Sequence, residues 1–335
     1  MKSIGLLPDC RHTRGGPGSF QRKLVAGLSS RGFQPCFDLG QATLDALLLI
    51  NATKHVSRLW RARRQGVPIV QRLGTPFSSG RPSRRDFVRR MRIWLGMQNV
   101  AYVRAHLADK VVYQSRFAQE CWDRGRRQLR KPTRIIYNGV DLSQFSPEGP
   151  KYTSNAKVCV ISVEGTQPAP DGHPALLLAS ALVERGLDIE LLLFGQALPD
   201  TARLWDAYPF VKFAGRTPNA DLAFFYRGST LFVSTDVIAA CPNSVIEALA
   251  CGTPVVGYQF SVLPEILDSS AGRCVPPKGD PWKGEHPGNV EGLVEAALEI
   301  IEDDASFRAN ARKLAESRYS LDHMVDEYVD FLLQG

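Results

Sequence analysis

Short apolar runs of strand length recur along the chain and alternate with segments of helical periodicity. In the helical segments, apolar residues stand three or four positions apart, as Phe20, Leu24 and Leu28 do. This βαβα alternation predicts an α/β fold in which helices cover both faces of parallel sheets. The predicted strands are 3–7, 46–50, 68–70, 110–113, 133–136, 158–163, 189–194, 211–213, 230–233 and 254–257, and the clearest further helices are 175–183, 245–250 and 290–301.

The chain is long enough for two domains, because its 335 residues exceed the size at which one hydrophobic core keeps growing. The stretch 138–155 is rich in Gly, Pro and polar residues and shows no periodicity, so we expect a linker there. Each half is then predicted to be a doubly wound, Rossmann-like domain. Ligands of such sheets lie at the carboxyl ends of the strands.

Composition excludes several classes of protein. With 44% hydrophobic and 22% charged residues, the chain is typical of packed globular proteins and unlike disordered, collagen-like or coiled-coil ones. No apolar run approaches the roughly 20 residues of a membrane helix, and the apolar start before Pro8 is too short for a signal peptide, so a cytoplasmic protein is expected. Seven scattered cysteines without a Cys-x-x-Cys pattern predict reduced thiols, with neither disulfides nor a zinc site.

Charge divides the chain into two unlike halves. Residues 1–150 contain 27 Lys and Arg against 9 Asp and Glu, whereas residues 151–335 contain 14 against 25. The first half is therefore net +18 and the second net −11. Such a charge asymmetry is informative about binding partners and not about the fold. It predicts that the first half binds an anionic partner.

A glycine-rich loop follows the first predicted strand and leads into a helix. Its Arg14, Gly15, Gly16 and Gly18 could bring bare backbone and a helix amino end close to an anion or a sugar. The loop lacks the third glycine of the dinucleotide fingerprint, although Asp38 stands about where that fingerprint places its acid. A P-loop sequence is absent from the chain, which excludes P-loop phosphotransferases.

The segment 241–257 runs from a loop through a short helix to a Gly stop and a strand. A purely structural reading assigns Ser244 and Glu247 to a capping box and Gly252 to the helix C-cap. A functional reading places Asn243 and Ser244 at a helix amino end that binds phosphate or sugar, with Glu247 accepting from ribose hydroxyls. Both readings stay open on the residues alone.

The segment 241–256, Cys-Pro-Asn-Ser-Val-Ile-Glu-Ala-Leu-Ala-Cys-Gly-Thr-Pro-Val-Val, resembles the donor-binding signature of glycosyltransferase family 4. The segments 108–115, 136–141, 211–215, 263–265 and 271–277 resemble further motifs of that family in the same order, so the resemblance covers nearly the whole chain. It implies a GT-B fold, with two Rossmann-like domains facing a central cleft. An acceptor-side domain at 1–142 and a nucleotide-sugar-binding domain at 143–318 are expected, with a C-terminal helix at about 319–335 that packs back on the first.

The resemblance also implies the chemistry. A hexosyltransferase-type enzyme would move a sugar from a UDP-, GDP- or ADP-sugar to a glycan, a lipid-linked or another acceptor, with retention of configuration and without a metal or other cofactor. The nucleotide sugar would contact Gly15, Gly16, Gly18, Thr166, His173, Asn243, Ser244 and Glu247. Arg14 and Arg72 are candidates for acceptor or phosphate contacts.

Several positions depart from the family pattern. The first acid of the family's donor signature is replaced by Ala239, so the sequence assigns no catalytic residue. The two cations that usually hold the diphosphate are absent from the loop after 158–163, where Thr166 and His173 are possible substitutes. A degenerate GT-B protein that binds nucleotide or sugar without turnover is therefore an alternative.

Arginines cluster on a predicted amphipathic helix in the basic half. They are Arg81, Arg84, Arg85, Arg89, Arg90 and Arg92, and the apolar Phe87, Met91, Trp94 and Leu95 share one face of the same helix. One interpretation is peripheral binding to an anionic membrane surface at the inner face of a membrane, where a lipid-linked acceptor would lie. The alternatives are a solvated arginine face with the apolar stripe packed on its own sheet, or a basic module that binds another polyanion. Nucleic acid is the less favoured partner.

Overall fold

A computed structural model describes residues 1–335 except 14, 39–42, 77–86, 125–128, 168–169, 171, 198–201, 237, 281, 283–284, 286–287 and 335. The chain forms two compact units. Unit 1 comprises Met1–Gly139, Ile238–Cys241 and Leu321–Gly335, and unit 2 comprises Val140–Val237 and Pro242–Ser320. The division falls three residues before the expected 142/143 boundary, and the sequence did not suggest that the short segment 238–241 would join unit 1.

Unit 1 contains a six-stranded sheet in the order β2-β1-β3-β4-β5-β6, and all its strand pairs are parallel. The strands are β1 (Ser3–Leu7), β2 (Gln34–Cys36), β3 (Ala46–Ile50), β4 (Ile69–Leu73), β5 (Lys110–Tyr113) and β6 (Thr133–Ile135). The helices are α1 (Gly16–Ser30), α2 (Val56–Arg64), α3 (Phe87–Tyr102), α4 (Arg116–Asp123) and α11 (Leu321–Leu333), with a π-helical turn at Val103–Leu107.

Unit 2 repeats this architecture, with a parallel sheet in the order β12-β11-β10-β7-β8-β9. Its strands are β7 (Val158–Gln167), β8 (Ile189–Ala197), β9 (Val211–Gly215), β10 (Leu231–Ser234), β11 (Val255–Tyr258) and β12 (Gly272–Val275). Its helices are α5 (Pro174–Glu184), α6 (Asn219–Gly228), α7 (Asn243–Ala250), α8 (Leu263–Ile266), α9 (Val290–Glu302) and α10 (Asp304–Arg318), with a 3-10 helix at Ala202–Ala207. The predicted α/β class with two doubly wound parallel sheets is confirmed.

The predicted strands follow observed ones to within a few residues, but β2 and β12 are missing from the prediction. They read Gln-Pro-Cys and Gly-Arg-Cys-Val, so both lack the continuous apolar run of a central strand. Each lies at the edge of its sheet, where burial is incomplete and the sequence pattern is correspondingly weak.

Apolar side chains pack on both faces of the unit 1 sheet. On one face, Phe20 and Leu24 of α1 join Tyr328 and Phe331 of α11 in a single core. The opposite face is covered by residues of α2, of the end of α3 and of α4. The last helix of the chain is therefore part of the core of unit 1, where α11 packs against α1.

Most of the expected linker, 138–155, packs on unit 2, which begins at Val140. The Arg227 guanidinium donates to the carbonyls of Gln144, Ser146 and Pro150. Phe145 is fully buried, so this segment contributes to the packing of unit 2 as well as connecting the units. Several of its backbone carbonyls accept from arginine side chains, as suits a segment that forms neither helix nor strand beyond one bridge at Val140.

Candidate functional site

Helix α7 begins shortly after β10, at the carboxyl end of the unit 2 sheet. Pro242 occupies the N-cap position and no side chain caps the helix, while Asn243 and Ser244 lie in the first turn. The capping-box reading of Ser244 and Glu247 is therefore wrong, because the helix begins two residues earlier than that pattern requires. The N-cap residue thus provides no side-chain hydrogen bond to the first turn of α7, and the amino end of a helix is a position that suits an anion.

The other end of α7 is as the sequence predicts. Gly252 has a φ of 73°, and its N–H donates to the Leu249 carbonyl while the N–H of Thr253 donates to that of Ala248. This is a Schellman motif, which requires a residue that tolerates the left-handed region. The motif turns the chain directly into β11.

Glu247 lies one turn inside α7 and is 2% exposed. Its Oε2 accepts a hydrogen bond of 3.0 Å from Nδ2 of Asn219, the first residue of α6. The negative charge of Glu247 adds to the effect of burial in raising the pKa of the neighbouring Tyr226 well above its usual value, burial being the larger cause. Sequence reasoning found the carboxylate and missed the amide that holds it, because Asn219 follows an ordinary Pro at a helix start.

Glu164 is a second acidic residue at the same edge of the sheet. It lies near the end of β7, and its Oε1 accepts a hydrogen bond of 2.6 Å from the Thr235 hydroxyl, just beyond β10. Burial, and then the charge of Asp236, raise the pKa of Glu164 to about 7. The carboxyl group is therefore half-protonated near neutral pH, which changes the charge at the strand ends over the physiological range.

His173 is placed as a buried helix cap. It is 1% exposed, its Nδ1 accepts from the Leu176 N–H, and its Nε2 lies 2.8 Å from Oε1 of Gln167. The expected direct contact with a nucleotide thus has no support in this geometry. Thr166 lies on β7, paired with Gln196 of β8, and its side chain is outside the described residues.

In unit 1, the glycine loop connects β1 to α1. Gly15 and Gly16 are exposed, with Gly15 at a φ of 90° in the N-cap position, whereas Gly18 is buried. A Cβ on Gly18 would lie 2.1 Å from the Thr13 carbonyl, so this glycine allows the loop to approach the helix. Arg14 lies outside the described residues.

Arg72 is buried at the carboxyl end of β4. It is 2% exposed, its guanidinium stacks 3.7 Å from the centre of the Phe20 ring, and its Nε and Nη2 donate to the Tyr328 hydroxyl and to Oδ1 of Asn138. Asn138 in turn donates to the Cys241 carbonyl. The structure therefore gives Arg72 a supporting position inside unit 1, and the direct acceptor or phosphate contact expected from the sequence has no support in this geometry.

Ala239 lies in the segment that joins unit 1 from the loop after β10. The segment is held at both ends, because the Thr75 hydroxyl donates to the Ile238 carbonyl at 3.1 Å and Asn138 binds Cys241. Residue 239, where the family pattern has an acid, therefore lies in a segment whose backbone is anchored on both sides. Sequence reasoning could not find this anchoring, since Thr75 and Ile238 are 163 residues apart.

The described residues contain no group of three or more His, Cys, Asp or Glu that could hold a metal ion. Within the same part of the chain, no helix combines the length and the apolar character needed to cross a membrane.

Comparison with solved structures defines the class of fold. Sucrose-phosphate synthase from Thermosynechococcus elongatus matches 99% of this chain and 98% of its own at 17% identity, with a TM-score of 0.73. HepE from Anabaena, in complex with UDP-glucose, matches 99% of this chain and all of its own at 17% identity, with a TM-score of 0.68. The chain has the fold of the GT-B glycosyltransferases, as the sequence predicted.

Sequence comparison finds related glycosyltransferases. Residues 159–303 match the model described as Glycosyl transferases group 1. O-antigen chain mannosyltransferase B of Escherichia coli is 28% identical over 32% of this chain and 26% of its own length. D-inositol 3-phosphate glycosyltransferase of Corynebacterium kroppenstedtii is 27% identical over 60% of this chain and 49% of its own. The chain thus spans less than half of each of these relatives. The resemblance to glycosyltransferases is confirmed, while assignment to family 4 stays a prediction.

Proposed function

We propose that this protein transfers a sugar from a nucleotide-sugar donor to an acceptor, and that unit 2 binds the donor. The observation that carries the proposal is the pairing of an uncapped α7 amino end with the buried Glu247, both at the carboxyl edge of a parallel sheet. Backbone N–H groups suit the diphosphate, and an oriented carboxylate suits ribose hydroxyls. The match of residues 159–303 to a glycosyltransferase family model covers this same region and supports the proposal.

The chemistry follows from charge development at the leaving group. A nucleoside diphosphate gains negative charge as the glycosidic bond breaks, and fixed N–H dipoles at the α7 amino end would stabilise that charge in the transition state. The hydrogen bond from Asn219 to Oε2 fixes the orientation of the Glu247 carboxylate. Retention of configuration and hexosyl transfer complete the proposal, by resemblance to family 4 and without a metal in the mechanism.

The donor is proposed to be a UDP-sugar, with GDP- and ADP-sugars as the alternatives. One structural neighbour, HepE, binds UDP-glucose. Incubation with radiolabelled UDP-, GDP- and ADP-sugars, with chromatography to detect slow hydrolysis, tests this directly. Release of free sugar from one donor supports transfer, whereas saturable binding without any release would support the degenerate protein that binds without turnover.

The acceptor is proposed to lie at an anionic membrane surface that unit 1 contacts through α3. The end of α3 packs on the sheet of unit 1, but apolar residues earlier in the helix are exposed: Val88 is 68% exposed, Trp94 and Leu95 are each 55% exposed, and Met91 is 41% exposed. Arg90 and Arg92 of the same helix are exposed as well. Exposed apolar and basic residues on one helix are typical of interfacial helices. Arg81, Arg84 and Arg85, and the side chain of Arg89, lie outside the described residues.

The sequence also allowed the apolar stripe of α3 to be buried on the sheet of unit 1. The exposure of Met91, Trp94 and Leu95 does not support that alternative. A lipid-linked or anionic glycan at that surface is the acceptor this arrangement favours, since the first half of the chain is net +18.

A further inference from the structure

A cavity of about 730 Å³ lies in unit 2, between the linker and helices α6 and α10. Three of its lining residues mark its place in the fold: Lys157 precedes β7, Thr230 precedes β10, and Gly252 follows α7. The cavity is thus at the amino-terminal edge of the sheet. The proposed donor residues lie at the opposite, carboxyl-terminal edge, so this cavity is a separate feature of unit 2.

Basic residues outnumber acidic ones in the described part of the cavity wall. They are Lys151, Lys157, Arg227, Arg308 and Arg312, and the acid among the described lining residues is Asp304. A concave wall with an excess of one charge raises the local concentration of counter-ions of the opposite sign. The lining therefore predicts an anionic occupant.

The three guanidinium groups are fixed in place by backbone carbonyls. A carbonyl oxygen is neutral, so these bonds orient a guanidinium without cancelling its charge. Besides the linker carbonyls that bind Arg227, the acceptors are those of Ser229 and Gly252 for Arg308, and those of Phe145 and Ala250 for Arg312. The cationic wall is consequently preorganised before a ligand arrives.

Ion pairs account for only part of this charge. Arg308 pairs with Asp304 at 2.8 Å and Arg312 with Glu316 at 2.7 Å. Across the part of the chain that the structure describes, no carboxylate lies within 4.0 Å of the side-chain nitrogens of Arg227, Lys151 or Lys157. Arg227, Lys151 and Lys157 thus form no close ion pair with a described carboxylate, and the nearby charge of Glu148 acts on Arg227 without such a pair.

We propose that this cavity binds a small molecule that carries two or more phosphate groups. The fixed guanidinium groups hold one phosphate, and the exposed Lys151 and Lys157 contact another. Pro147, Tyr152 and Ala309 provide apolar contact area for the rest of the molecule. The volume is within the range of about 300 to 1,000 Å³ that is usual for small-molecule sites. This site is independent of the proposed glycosyl transfer.

Inorganic pyrophosphate is the probe that tests the site, with calorimetric titration of the full chain at constant ionic strength. UDP is left out, because it carries two phosphates and would compete for the cavity. We expect saturable binding to the unaltered protein and at least tenfold weaker binding to the double variant Lys151→Gln/Lys157→Gln. The matched control is Arg185→Gln/Lys313→Gln, which removes two exposed cations of unit 2 that do not line the cavity and should bind as the unaltered protein does.

Two results would overturn the proposal. One is the absence of saturable pyrophosphate binding by the unaltered protein. The other is equal affinity in the Lys151→Gln/Lys157→Gln variant, which would place the pyrophosphate elsewhere. Thermal unfolding of each variant without pyrophosphate verifies that the fold is retained. A chain that binds no UDP at all would contradict the proposed donor site but leave this test unchanged.

Discussion

Asn219, the first residue of α6, donates a hydrogen bond to Glu247 one turn inside α7. The carboxylate thus has a structural role that can be tested separately from its proposed contact with the nucleotide. If Glu247 also accepts from ribose, Glu247→Ala weakens UDP binding by about 1 to 3 kcal/mol, since a polar group of the ligand is left without its partner. Isothermal titration with UDP measures this. Asn219→Ala is the matched control, because it removes the same internal bond and keeps the carboxylate. Equal losses of UDP affinity in the two variants, or none in Glu247→Ala, would leave Glu247 a purely structural role.

Glu164 makes stability depend on pH in a defined direction. Its pKa in the folded protein, about 7, is above the ordinary value of 4.5. The protonated form is thus favoured by folding, so the contribution is fully present below about pH 4.5 and is lost as the pH rises through 7. We expect Glu164→Gln to reduce the fall in unfolding free energy between pH 5 and 8 by about 1 to 2 kcal/mol, as measured by urea denaturation.

The same titration bears on the donor. An ionised Glu164 at the carboxyl edge of the sheet repels a diphosphate, whereas the protonated acid does not. UDP affinity should therefore fall as the pH rises through 7, and Glu164→Gln should flatten that profile. A pH profile that is identical in both proteins would show that Glu164 does not face the bound nucleotide.

At the level of elements, α7 shows what the sequence could predict. Its C-terminal end was predictable, because only a residue that tolerates a positive φ suits the position of Gly252. Its N-terminal end was not, since Ser244 and Glu247 have capping-box spacing while Pro242 actually occupies the cap. The structural role of Arg72 could not be predicted from the sequence pattern either, because its partners Asn138 and Tyr328 are 66 and 256 residues away. Periodicity predicts elements and their order, whereas side-chain partners depend on tertiary packing.

Helix α3 gives a prediction of its own. Trp94→Ser/Leu95→Ser should weaken sedimentation with vesicles that contain anionic phosphatidylglycerol several-fold, because about 25 cal/mol is lost for each Å² of apolar surface no longer buried in the interface. Arg90→Gln/Arg92→Gln should weaken it at low salt and make it less sensitive to added salt. Leu204→Ser/Leu298→Ser, at exposed apolar positions of unit 2, is the control. Binding to neutral vesicles that equals binding to anionic ones would contradict the membrane proposal.

For the whole molecule, α11 is the element whose loss should affect one unit and spare the other. Tyr328 is fully buried, its ring centre lies 5.2 Å from that of Phe20, and its hydroxyl accepts from Arg72. Tyr328→Ala should lower the unfolding free energy of unit 1 by about 3 to 5 kcal/mol, as expected for a deleted core aromatic ring. Tyr328→Phe, which removes only the hydroxyl, should cost about 1 to 2 kcal/mol. Denaturant unfolding followed by hydrogen exchange would resolve the two units, and equal loss of protection in both would contradict the assignment of α11 to unit 1.

The position of α11 in the chain has a consequence for synthesis on the ribosome. A multidomain chain generally completes its amino-terminal domain first, as translation proceeds. Here the last residue of unit 2 is 320, whereas unit 1 needs residues 321–333 to cover one face of its sheet. Unit 2 can therefore reach its final packing while the first 139 residues still expose the surface of α1 and β3 that α11 will cover. That apolar surface is therefore exposed to aggregation throughout the translation of unit 2.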